Sequence, residues 1–357
     1  MLCEAEIKSA SRSFYRESKK MNGYERVKAF VNGGSFDRPP FMPLIIEWVA
    51  RQKGISYPDF VYKPEVRAQA YLDICDEFDV DCVLPDTDFF EQLEDFGKVP
   101  TWTDLGFQAP PIIGDLSVLD KLEIPEIKPG TRQGNRIEII KRVADKVKGK
   151  KYIFGICIGP FTEYGNARDI TQSLRDVKKN PDAVRRGMEI FFENGMNFIR
   201  AQMGAGADGI QIVEPNCSLI SPQFYKDNIM PLHTKMVEEI QKDGGFARLH
   251  ICGETSRIMP YSLGTGTHIL DVDSQVDLAS VEHLLADNQR FCGNLDTSAE
   301  VLFGKPEEYE NYVNKRIEAT HNRIIISAGC DVPPDTPAEN MRAWHDAVVK
   351  AGEKMKQ

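Results

Sequence analysis

GIQIVEPNCSLISPQFYKDNIMPLHTKMVEEIQKDGGFARLHICG, residues 209–253, decides the fold. It opens with a short apolar run that ends in polar residues (209–215) and closes with a second (247–253). Between them Ser221 and Pro222 supply an N-cap and a first-turn proline, the signals that open a helix. A strand, a helix and a second strand of this length form the repeating unit of a parallel sheet.

The same pattern recurs along the chain. Apolar runs at 39–48, 82–88, 152–159, 209–215, 247–253, 269–274, 290–296 and 323–331 make eight expected strands. Helical signals separate them. Asn180 and Pro181 open a helix whose inner face is Val184, Met188, Phe191 and Phe192, and the last helix is expected to start on Thr336, Pro337 and Glu339 with Met341, Trp344, Val348 and Val349 inside. No GxGxxG follows the first run and there is no P-loop, so an open nucleotide-binding sheet is disfavoured. The expectation is an α/β fold, a (β/α)8 TIM barrel forming a single domain over residues 1–357. Residues 1–35 would add an N-terminal helical cap, with Val27, Phe30 and Val31 at helical spacing. Residues 90–150 are too long for a plain crossover and read as an insertion after strand 2.

Composition narrows the partners. With 41% hydrophobic and 27% charged residues the chain can bury a large core, and its net charge of −10 argues against nucleic acid. The polar N-terminus and the lack of a long apolar run predict a cytoplasmic protein that does not enter a membrane. Cys3, Cys75, Cys82, Cys157, Cys217, Cys252, Cys292 and Cys330 lack disulfide-scaffold spacing and no CxxC is present, so they read as reduced thiols.

In a barrel the strand ends converge on one mouth, which makes their polar residues the first candidates for chemistry. His250 and Cys252 in LHICGET are two apart on an extended strand and face the same way. Cys330 in SAGCD ends the eighth expected strand, 78 residues after Cys252, at the same rim. A buried cysteine is ordinarily an inert small hydrophobe, but one imidazole and two thiolates also suit Zn2+ and leave a fourth position for substrate.

LHICGET at 249–255, followed by ISAGCDVPPDTPAENMRAWHDAV at 326–348, resembles the uroporphyrinogen decarboxylase superfamily, and within it the cobamide (corrinoid) methyltransferase branch. FDRPP at 36–40, EQLEDFG at 91–97, GPFT at 159–162, GADGIQIVEP at 206–215 and GNLDT at 293–297 extend the resemblance over nearly the whole chain. It implies a (β/α)8 barrel, and zinc on His250, Cys252 and Cys330. The zinc would activate a thiol such as coenzyme M, or the oxygen of a methoxylated compound, for methyl transfer to or from a corrinoid. No DxHxxG cobalamin signature is present, so a corrinoid protein partner is implied. The decarboxylase itself works without metal and carries two arginines after the first strand that grip substrate propionates. Here ARQKGIS at 50–56 keeps only Arg51, and Gly329, Cys330 and Asp331 replace a Gly-His-Gly segment. Uroporphyrinogen decarboxylation is therefore the alternative, and a non-catalytic barrel that binds zinc or a corrinoid protein is a third reading.

Among the remaining strand-end acids, Glu214 in VEPN is the first choice for a fourth zinc ligand or proton-handling group, followed by Asp296 in GNLD and Asp273 in DVDS. All three also fit plain capping roles. Asp86, Asp88, Glu91 and Glu94 read as a solvated acidic loop with substrate contact as the rival reading. His233, His268, His283, His321 and His345 read as surface or packing residues, and Tyr164 and Asn166 as near enough to a strand end to touch substrate.

Overall fold

Parallel strands follow one another in chain order in the computed structural model, which describes residues 20–103 and 106–355. They are β1 (Cys82–Val83), β2 (Tyr152–Ile158), β3 (Gly209–Val213), β4 (Phe246–His250), β5 (Ile269–Val272), β6 (Arg290–Leu295) and β7 (Ile324–Ala328). Every residue of these strands is buried, as expected for a parallel sheet covered by helices on its outer face.

The expected strand at 39–48 does not form. Pro39, Pro40 and Pro43 have no N–H to give a ladder, and only Phe41 bridges Ile326. Met42 N–H donates to the Ile326 carbonyl, Ile326 N–H to the Pro40 carbonyl, and Asp81 N–H to the Phe41 carbonyl. Residues 40–42 thus hydrogen-bond to β7 on one side and to the lead-in of β1 on the other. The result is an α/β fold with a curled seven-stranded parallel sheet, TIM-barrel-like. The last two residues of the segment open the helix Glu47–Lys53, which stops where Gly54 turns to φ +63°.

Helices pack as their apolar spacing requires. The helix Pro181–Gly204 buries Val184, Met188, Phe191 and Phe192, and Ser221 accepts the Phe224 N–H as a helix cap. The last helix departs from expectation at its start. It runs Ala338–Met355, and Thr336 Oγ1 lies buried with no partner among the described residues, so the expected cap is not made. The Thr336 carbonyl instead accepts Trp48 Nε1–H at 2.8 Å, which ties this turn to the helix Glu47–Lys53.

Before the sheet, Asn22 and Glu25 form a capping box on the helix Gly23–Val31, which buries Val27, Phe30 and Val31. Residues 90–150 contain the helix Glu91–Asp95, an antiparallel pairing of Thr101–Thr103 with Gly106–Gln108, a 3-10 turn Leu116–Lys121 and the helix Arg132–Val147. Cys75, Cys82, Cys157, Cys217, Cys252, Cys292 and Cys330 are all unpaired thiols, and Cys3 lies outside the described residues. Among the described residues no helix is long and apolar enough to cross a membrane.

Candidate metal centre

His250 is the last residue of β4, Cys252 follows it by two, and Cys330 lies two residues beyond β7. The sheet brings one donor atom of each to within 4.8 Å of the others. Zinc bonds to nitrogen and sulfur run about 2.0–2.3 Å, so one ion bridges donors at this spacing with little movement. Close approach at Gly329 sets where Cys330 lies. A Cβ there would stand 2.6 Å from Ser274 N and 3.0 Å from Asp273 Cα.

Register supplies the support behind the imidazole. His250 pairs with Asp271 across β4 and β5, and Gln211 pairs with Arg248 across β3 and β4. Asp271 Oδ2 accepts from His250 Nδ1 at 2.9 Å and from Gln211 Nε2 at 2.7 Å, while Oδ1 accepts from Arg248 Nε at 2.7 Å. With Nδ1 engaged, Nε2 is the nitrogen left for a metal, the usual role of a carboxylate behind a ligating histidine. Neither Asp271, Gln211 nor Arg248 was among the expected site residues. An aspartate inside the apolar run ILDV is itself a signal, because a charge buried in a strand needs partners.

The electrostatics follow from crowding. Burial opposes charge on His250, but hydrogen bonds to Asp271 and Cys330 outweigh it and hold the imidazole up at about 10. Burial also opposes the Asp271 carboxylate, but Arg248 and His250 prevail and pull it down to about 2. A hydrogen bond from Cys330 holds the Cys252 thiol below its ordinary range. The same bond, with burial, pushes Cys330 up to about 12. The three donors are close enough to share protons, and a divalent cation would replace those protons.

A cavity of about 280 Å³ opens beside His250 and Cys330. The acidic cluster forms part of its wall, and the structure corrects the expectation of a solvated loop. Glu91 is 2% exposed and pairs with Arg67 at 3.1 Å and Arg136 at 2.7 Å; Arg132 pairs with Asp88 at 2.6 Å and Glu94 at 2.7 Å. These three buried arginines come from the helices Pro64–Glu77 and Arg132–Val147, too far along the chain for spacing to link them to the acids. Only Asp86 and Asp88 of the cluster line the cavity.

The other expected site residues are not among the gathered donors. The Glu214 carboxylate is fully buried, accepts the Thr162 N–H and bonds His233 Nε2 at 2.9 Å, while His233 Nδ1 meets the Tyr225 hydroxyl at 3.0 Å. His233, read as a packing residue, is therefore the centre of a buried polar chain. Asp273 accepts N–H groups from Gly253 and Gln275 and shapes the loop next to Cys252. Asp296 caps the turn Thr297–Leu302 through Ser298 and Ala299 N–H groups. Tyr164 is buried on Asp176 and Asn166 reaches the Phe89 carbonyl, and neither lines the cavity.

A TIM-barrel-like sheet with one imidazole and two thiols gathered beyond two remote strand ends defines a class of barrel suited to a soft divalent metal. Within that class, residues 22–351 match the family described as Uroporphyrinogen decarboxylase (URO-D), and the chain belongs to that family. It is similar to the methylcobamide:CoM methyltransferase MtbA of Methanosarcina mazei, 27% identical over 64% of this chain and 67% of that protein. It is also similar to the "Methylated-thiol--coenzyme M methyltransferase" of the same organism, 24% identical over 91% and 88%. The uroporphyrinogen decarboxylase of Pelobacter propionicus is 26% identical over 83% and 91%. A solved methyltransferase from Methanosarcina mazei superposes with a TM-score of 0.83 at 20% identity, covering 92% of this chain and 99% of that one, which shows the shared fold.

Proposed function

We propose that this protein is a zinc-dependent methyltransferase that moves a methyl group between a corrinoid protein and a small thiol or methoxylated molecule, with His250, Cys252 and Cys330 as the zinc ligands. The observation that carries this reading is the convergence of the three donors to within 4.8 Å, with His250 Nδ1 already engaged by Asp271. That donor set fits zinc and leaves a position for substrate. When bound, zinc supplies Lewis acidity toward a substrate sulfur or oxygen. The chain's own residues do the positioning. Gln211 and Arg248 hold Asp271, Asp271 holds the imidazole, and Leu44, Ile46 and Val213 keep apolar surface along the cavity. The corrinoid partner would dock over the mouth where the cavity opens, in the cytoplasm, where the thiols stay reduced.

Two relatives are methyltransferases, which favours methyl transfer, and the cavity counts against the decarboxylase alternative. Uroporphyrinogen presents several carboxylates, yet among the described residues no arginine or lysine lines the cavity. Arg51, the remnant of the decarboxylase motif, is exposed and pairs with Asp335 at 2.9 Å.

The test is metal analysis of the wild type beside Cys330→Ala, both chelator-washed and titrated with zinc, followed by assay with a methylated corrinoid protein and thiols. About one zinc per wild-type chain, much weaker binding in the variant and zinc-dependent demethylation of the corrinoid are the expected results. Absence of stoichiometric zinc from the wild type would refute the reading. Zinc binding without methyl transfer would point to the non-catalytic barrel.

A further inference from the structure

The cavity beside the three donors is walled by hydrogen-bond acceptors. Glu47, Asp86, Asp88 and Asp331 line it, with no lysine or arginine on its wall among the described residues. Asp88 is neutralised from behind by Arg132 at 2.6 Å, but Asp86 meets Arg136 only at 3.5 Å, and that guanidinium is closer to Glu91, at 2.7 Å. Asp331 accepts the Ile46 N–H, and among the described residues no cationic side chain pairs with it or with Glu47.

A second feature is independent of the carboxylates. Gln211 is fully buried and lines the cavity; its Nε2 is spent on Asp271, and its Oε1 has no donor among the described residues. The aromatic residues Tyr57, Phe89 and Phe90 complete this wall. Burial, then Asp88, Glu47, Asp86 and Asp331, pushes the Tyr57 phenol up, so all four carboxylates act on one point.

We propose that the small molecule taken by this cavity is an aminothiol or its methyl thioether, with its sulfur at the His250, Cys252 and Cys330 cluster and its ammonium group among Glu47, Asp86 and Asp331. This rests on the methyltransferase reading and narrows its substrate. An ammonium group brings three donors and no acceptor, matching a wall of carboxylates and one free amide oxygen. Nearby aromatic faces favour the same charge. A thiol carrying a sulfonate or carboxylate would bring further acceptors and a negative charge to a wall of acceptors that, among the described residues, holds no lysine or arginine to receive it.

Three two-carbon thiols separate charge from size: cysteamine, 2-mercaptoethanol and 2-mercaptoethanesulfonate. Binding is read by calorimetry on the zinc-loaded protein and by sulfur-to-metal charge-transfer absorption after cobalt substitution, at low ionic strength. Cysteamine should bind at least about tenfold more tightly than the sulfonate, with the neutral thiol between them. That preference should shrink several-fold in Glu47→Gln and in Asp86→Asn, variants that leave thiol acidity and metal ligands unchanged. Glu47 is exposed, so its variant folds as the wild type does. Equal or tighter binding of the sulfonate would overturn the charge inference alone, and so would a preference that both variants retain. If none of the three thiols added to the charge-transfer absorption that Cys252 and Cys330 themselves give, the thiol branch of the methyltransferase reading would fall and this inference with it.

Discussion

Replacing Asp271 with Asn tests the support behind the metal centre most directly. The aspartate accepts three hydrogen bonds, from His250, Gln211 and Arg248, at 2.7–2.9 Å. Asparagine keeps the shape but turns one acceptor into an N–H donor, so a donor faces either Arg248 or the His250 and Gln211 pair. Losing a carboxylate behind a ligating histidine costs about 10–100-fold in metal affinity, or about 1.4–2.8 kcal/mol. A separate loss of about 3–5 kcal/mol in folding stability follows from leaving Arg248 buried without its charge partner. The two are resolved by urea unfolding of the metal-free protein and by zinc titration of the folded protein against a chelating indicator. Asp296→Asn is the control, because Asp296 caps a turn through the Ser298 and Ala299 N–H groups and should change zinc affinity far less. A folded Asp271→Asn protein with wild-type zinc affinity would refute the argument.

Further outcomes follow from the same geometry. Gly329→Ala sets a methyl group against the backbone at Ser274 and Asp273 and should displace Cys330, lowering zinc affinity in the same titration. Glu214→Gln should keep one-to-one zinc binding by metal analysis, since its carboxylate is taken by Thr162 and His233; loss of zinc would restore it as a ligand. Arg136→Met strips Glu91 and Asp86 of a buried cation and should cost about 3–5 kcal/mol in urea unfolding. Asp86 gives the pH dependence. Burial, opposed by Arg136 and the Thr87 N–H and aided by Glu91 and Asp88, raises it from 3.8 to about 6. Between those values the folded state holds the proton that the unfolded state has lost. Its contribution therefore falls as pH rises through that window, by about 3 kcal/mol. Asp86→Asn should gain stability over wild type above pH 6 and not below pH 4, read as the difference between their unfolding midpoints.

Local pattern carried much of the fold. The apolar runs that became β2 through β7 have the length and burial that parallel strands demand, and the helix Pro181–Gly204 buries the face its spacing marked. Where the reading failed, backbone chemistry within the segment was the reason. Prolines at 39, 40 and 43 left only the bridge at Phe41, and the last helix begins two residues after Thr336, whose hydroxyl then has nothing to cap.

What the sequence by itself determined is what lies within one strand or turn: the βα rhythm, and the placing of His250 and Cys252 two apart on one face. Period and spacing are local properties, and a chain displays them before it folds. Only the tertiary structure decided which distant groups meet. It drew Cys330 to within 4.8 Å of that pair, set Asp271 behind the imidazole, and gave the acids at 86–94 three buried arginines. These contacts depend on strand register and helix packing across tens of residues, where partners are chosen by the low-dielectric cost of leaving a buried charge unpaired.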